Sequence, residues 1–141
     1  MTLSVTWLAY ALATVVLWAT WSFLGAVALR SISVAQATLL FGVATVTLAL
    51  VALALSGRGA PWSPSGLATA AISGVCGAAG MITFYLALDN GKASAVVPVI
   101  GAYPALVAIL AVAFLSERLT MIQAVGVGLV LLGVVLVSAG A

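Results

Sequence analysis

Each of the six charged side chains in this 141-residue chain, Arg30, Arg58, Asp89, Lys92, Glu117 and Arg118, stands at a break between long apolar runs. Crossing about 30 Å of hydrocarbon at 1.5 Å per residue takes roughly 20 residues of helix, and a charge at mid-depth is costly to bury. The charges and turn formers delimit five runs of that length, about 4–29, 34–55, 64–88, 93–115 and 120–140. A soluble domain carries about 25% charge. Here only 4% of residues are charged, 66% are hydrophobic and the mean hydropathy is +1.42. The expected fold is therefore an all-α integral membrane protein of five transmembrane helices, a single domain over 1–141 with the lipid bilayer as its solvent.

The breaks carry their own signals. Ser33 with Gln36, and Thr120 with Gln123, fit capping boxes that open the second and fifth spans. Residues 56–64, Ser-Gly-Arg-Gly-Ala-Pro-Trp-Ser-Pro, are dense in turn formers, with Ser63 as an N-cap before Pro64 at the first helical position. Asp89-Asn90-Gly91 reads as a tight turn closing the third span. The first run lacks a basic leader and exceeds the apolar length of a cleavable signal, so it is expected to stay. No second domain is expected, and an odd number of crossings puts the two ends of the chain on opposite sides.

Composition excludes several kinds of chemistry. Cys76 is the one cysteine and there is no histidine, so neither an internal disulfide nor a protein-built metal site is expected. The net charge of +2 is spread over the loops and makes no patch for nucleic acid. No nucleophile, base and oxyanion set is present, so the chain is not expected to be an enzyme and no cofactor is expected. No ionisable carboxylate or basic group lies within a span, which removes the usual parts of a proton relay. Coupling through Asp89 or Glu117 at the boundary stays open beside their reading as solvated helix-end charges.

Basic residues are balanced across the bilayer. Arg58 and Arg118 fall on one side, Arg30 and Lys92 on the other. Because Lys and Arg near the spans set orientation, this chain has no side-chain preference for either. It is expected to insert both ways and pair antiparallel, with the in-plane two-fold symmetry that transporters build from inverted repeats, unless a partner protein or an early insertion event fixes one orientation.

Three features point toward a solute. Tyr10, Thr14, Trp18, Trp21, Ser22 and Gly25 recur at three- and four-residue spacing, which puts them on one aromatic and polar face of the first helix. Trp7 and Trp62 suit the interfacial belt, but Trp18 lies at mid-span, where its indole N–H wants a partner in a cavity lining or on a neighbouring carbonyl. In the fourth span Pro98 and Pro104 each remove a backbone donor, leaving the carbonyls of Ser94 and Ile100 without their usual bonds. With Gly101 and Tyr103 between them, the expected result is a bent helix at mid-depth, either a solute contact or a plain kink. Small residues let backbones approach where lipid offers no hydrophobic drive. Gly74, Gly77 and Gly80 on the third helix, and Gly126, Gly133 and Gly140 on the fifth, are accordingly expected packing seams, within the chain or between subunits.

The stretch Tyr-Leu-Ala-Leu-Asp-Asn-Gly-Lys-Ala-Ser-Ala-Val-Val-Pro (85–98), Tyr103-Pro104, Phe-Leu-Ser-Glu-Arg-Leu-Thr (114–120), Gln123, Gly126 and Gly133 resembles the EamA-like domain of the drug/metabolite transporter superfamily, single-domain five-helix type. Trp18 falls where that domain often has a tryptophan. The second helix departs from it, with Thr38-Leu39-Leu40-Phe41 where an arginine is common. The resemblance implies one half of a ten-helix inverted-repeat transporter in a bacterial or archaeal plasma (inner) membrane, a homodimer or a heterodimer with a similar five-helix chain. It implies a cavity lined by the first, third and fourth spans, with Thr14, Trp18, Trp21, Ser22, Thr83, Tyr85, Pro98, Gly101 and Tyr103 as solute contacts. An exporter or facilitator of a neutral or zwitterionic amphipathic metabolite is expected; a non-transporting assembly subunit and a lipid-carrier flippase are the alternatives.

Overall fold

The computed structural model describes residues 5–56 and 63–140. Arg58, Trp62, the centre of the turn-rich loop, Ser4 at the expected start of the first span and Ala141 lie outside them. The helices are α1 (Val5–Ala28), α2 (Val34–Leu55), α3 (Pro64–Asn90), α4 (Ala93–Ile100), α5 (Tyr103–Phe114) and α6 (Met121–Ala139). Among the described residues there is no strand. Among the described residues five spans are long and apolar enough to cross a bilayer, α4 and α5 together making the fourth. The chain is an integral membrane protein. It divides into two units, one holding α1 to α3 and the other α4 to α6.

Helix ends follow the capping chemistry. Ser33 and Thr120 each accept the backbone N–H of the glutamine three residues on, at 3.3 Å, and each glutamine Oε1 accepts back from the cap N–H, at 2.9 and 2.8 Å. Ser63 Oγ accepts from Gly66 N at 3.1 Å and so caps α3. The third helix runs to Asn90, past the turn expected at Asp89. Asn90 Nδ2 donates to Leu86 O at 2.8 Å, occupying a carbonyl that the ending helix would leave bare.

In the unit of α1 to α3, burial is confined to one end. From Trp7 to Thr20, Gly42 to Ser56 and Ser63 to Gly80 every residue is exposed. The buried residues Ser22, Gly25, Ala37, Phe84, Tyr85 and Leu88 all lie where α1 ends, α2 begins and α3 ends, which is the Arg30 end of the unit.

In the other unit the fourth span is broken rather than merely bent. Gly101 N still reaches Val97 O at 2.9 Å, but Ala102 N turns to Val99 O and Ala105 N to Ala102 O, each one residue short of the α-helical partner. The carbonyls of Pro98 and Gly101 are thus passed over by their usual donors, and that of Ile100 loses its donor to Pro104. A Cβ on Gly101 would stand 2.9 Å from Pro98 O, so the break tolerates no side chain there. At the end of α5, Ser116 takes φ 57°, a left-handed conformation more usual for glycine, and Leu115 N and Glu117 N both reach Ala111 O, at 2.9 and 3.3 Å.

Candidate functional site

The packed end of the first unit is an aromatic cluster held by one interhelical hydrogen bond. Trp21 Nε1 on α1 donates to the Tyr85 hydroxyl on α3 at 3.2 Å. The indole stacks on Phe84 at 4.8 Å and 28°, and tilts against Phe41 of α2 at 5.6 Å and 46°. Tyr85 also meets Trp21 and Phe84 at a tilt, at 6.1 Å and 55° and at 5.8 Å and 44°. Such pairs are worth about 0.5–1.5 kcal/mol each beyond the area they cover. Helical register explains the convergence: Trp21, Ser22 and Gly25 share one face of α1, and Phe84, Tyr85 and Leu88 one face of α3. Gly25 permits the approach, since a Cβ there would stand 3.0 Å from Tyr85 Cε1.

Of the residues expected to contact solute, Trp21, Ser22 and Tyr85 come together at this end, with Tyr85 only 4% and Ser22 7% exposed. Thr14 and Trp18 continue the same face of α1 into the exposed half, Trp18 at 52%. Thr14 Oγ1 donates to Tyr10 O at 2.9 Å, the back-bond that satisfies a hydroxyl in a membrane helix. Thr83 does not share the Tyr85 face: two residues apart on α3, they point about 160° apart. Its hydroxyl donates to Gly80 O at 2.9 Å. Pro98, Gly101 and Tyr103 stand at the break between α4 and α5 in the second unit.

The glycine seams lie uncovered. Among the described residues no atom comes within 4 Å of a Cβ built on Gly74, Gly77, Gly80, Gly126 or Gly133, and Gly140 meets only carbonyls of its own helix, at 3.8 and 3.9 Å. Among the described residues no group of three or more His, Cys, Asp or Glu could hold a metal ion. Phe41 and Phe84 complete the cluster beyond the expected contacts, and Gly25, on the face of α1 that the spacing marks, gives it room. Gly25 and Phe84 have a register signal, four residues from Trp21 and Leu88 respectively, whereas Phe41 is the one aromatic residue of the second span, with no spacing that ties it to either helix.

The sequence profile of the EamA-like transporter family matches residues 5–139. An uncharacterized protein of Methanocaldococcus jannaschii is 42% identical over 72 residues, covering 51% of this chain and 53% of that protein, so the match spans about half the length of each. No solved structure matches.

Proposed function

The chain belongs to the EamA-like transporter family, whose members carry small solutes across membranes and are not enzymes, and from that premise we propose that it exports or facilitates passage of a neutral or zwitterionic amphipathic metabolite. The observation that carries this reading is the family match over nearly the whole chain. The α1 face supports it, offering tryptophan, tyrosine and threonine in a span that contains no ionised group. Tryptophan and tyrosine rings also attract quaternary ammonium groups, so the preference for a neutral or zwitterionic solute rests on the absence of a carboxylate from the span.

In this reading the protein works by alternating access in a bacterial or archaeal plasma membrane. The balance of two basic residues on each side leaves orientation open, and an antiparallel pair of five-helix chains would restore the inverted symmetry of transporters with ten helices. The uncovered glycine seam of α6 supplies a surface on which a second chain can approach closely.

Flux measured in proteoliposomes over a panel of amino acids, sugars and other metabolites tests the proposal. The expected result is saturable movement of at least one neutral or zwitterionic solute, reduced by Trp18→Ala and by Tyr103→Ala with assembly intact. No flux of any solute, together with loss of another membrane protein on deletion of the gene, would replace it with an assembly-subunit role. Reporters fused to the C-terminus are expected to be active on both sides of the membrane; activity on one side alone would reject dual insertion.

A further inference from the structure

The one-sided burial of the α1 to α3 unit has a structural counterpart on α3 itself. Stepping back from Leu88 through Tyr85 and Phe84 at helical spacing leads to Met81, Gly77 and Gly74, so the packed aromatic face continues directly into the glycine face. On α1 the face of Gly25, Ser22 and Trp21 continues in the same way to Thr14. Thr14 precedes Gly25 by eleven residues (25 − 14) and Gly74 precedes Tyr85 by eleven (85 − 74), about three turns in each helix. Two faces that touch at Gly25 and Tyr85 are therefore in register to touch again at Thr14 and Gly74. They do not. A Cβ on Gly25 meets Tyr85 at 3.0 Å, while nothing lies within 4 Å of one on Gly74 or Gly77.

We propose that the Trp21–Tyr85 contact is a gate, closed in this structure at the Arg30 end, and that in the opposite conformation α1 closes onto Gly74 and Gly77 at the Ser63 end as the aromatic contact parts. This rests on the alternating-access reading above and assigns its moving contact to named residues. Glycines at 74 and 77 suit that role, because close backbone approach is what holds helices together in lipid and a bare glycine face gains nothing from lipid chains. A hydrogen bond with two ring contacts at one end and a backbone-close seam at the other are two discrete arrangements of the same helix pair, which is what a switching element requires.

Paired cysteines test this without measuring transport. In a Cys76→Ala background with a protease site at 57–62, Ala28→Cys with Leu88→Cys, one turn beyond Gly25 and Tyr85 in the same register, reports the closed aromatic end and leaves Trp21 and Tyr85 in place. Thr14→Cys with Gly74→Cys reports the glycine end. Membranes are treated with a short bifunctional thiosulfonate and then cleaved, and a linked pair keeps the two fragments together. Both pairs are expected to link, and adding Trp21→Ala, or the milder Trp21→Phe, is expected to raise the rate at 14 and 74 several-fold. Complete linkage at 28 and 88 with none at 14 and 74, or a rate at 14 and 74 that neither Trp21 variant changes, would overturn the gate. Linkage that alternates as expected in a protein that moves no solute would leave the gate standing and remove the transporter reading instead.

Discussion

Trp21 and Tyr85, 64 positions apart in the chain, are joined by an indole N–H to hydroxyl bond of 3.2 Å that ties α1 to α3 inside an apolar span. Around it Phe41 and Phe84 supply ring contacts and Gly25 supplies room. Elsewhere in this unit the helices are exposed, so the bond is the polar fastening of its only packed end among the described residues.

Removing either partner should therefore be felt in stability. Trp21→Phe and Tyr85→Phe each keep a ring and lose one half of the bond, and each is expected to lower the thermal unfolding temperature in detergent. The double variant is expected to cost less than the sum of the two, with a coupling of about 0.6 kcal/mol, the average for hydrogen bonds between membrane helices. Strict additivity would mean that the bond contributes nothing.

Glycine positions should separate into two kinds. Gly25→Ala drives a methyl to 3.0 Å from the ring of the buried Tyr85 and is expected to destabilise by about 1–3 kcal/mol, the usual cost of overpacking. Gly74→Ala meets nothing and removes a poor helix former, so its stability is expected to hold or rise by up to about 1 kcal/mol. Unfolding in a graded denaturing detergent compares them directly.

The break in the fourth span depends on Gly101 and Pro104 in different ways. Gly101→Ala places a carbon 2.9 Å from Pro98 O and is expected to destabilise the unit of α4 to α6. Pro104→Ala returns an N–H that can reach Ile100 O, and is expected to straighten the span and raise stability while lowering solute flux. Equal flux in Pro104→Ala and the parent would make the break a structural kink.

Ser116 holds φ 57° where the chain leaves α5. A left-handed residue with a Cβ costs about 1–2 kcal/mol that glycine avoids. Ser116→Gly is accordingly expected to raise the unfolding temperature, offset in part by the greater freedom of glycine in the unfolded chain. A fall would mean that the serine hydroxyl has a use the backbone does not reveal.

Much of this protein is legible one residue at a time. Five spans, the capping boxes at Ser33 and Thr120, the cap at Ser63 and the disturbance at Pro98 and Pro104 follow from run length and local chemistry. Each depends on residues within a few positions of one another, where spacing alone sets geometry. The aromatic and polar face of α1 was legible for the same reason, as a period in one helix.

Tertiary structure decided which helix each face meets and at what depth. Trp21 and Tyr85 stood in the sequence among several aromatic candidates, and only the crossing of α1 and α3 pairs them. Thr83 and Tyr85 looked like neighbours and point apart, because two residues along a helix is more than half a turn. The glycines of α3 read first as packing within the chain and those of α6 equally as packing within it or between chains, and among the described residues no other element covers them. A stretch of apolar sequence states that a segment belongs in lipid, but lipid accepts every apolar face alike. Which faces touch is settled by close packing and a few hydrogen bonds between residues far apart in the chain.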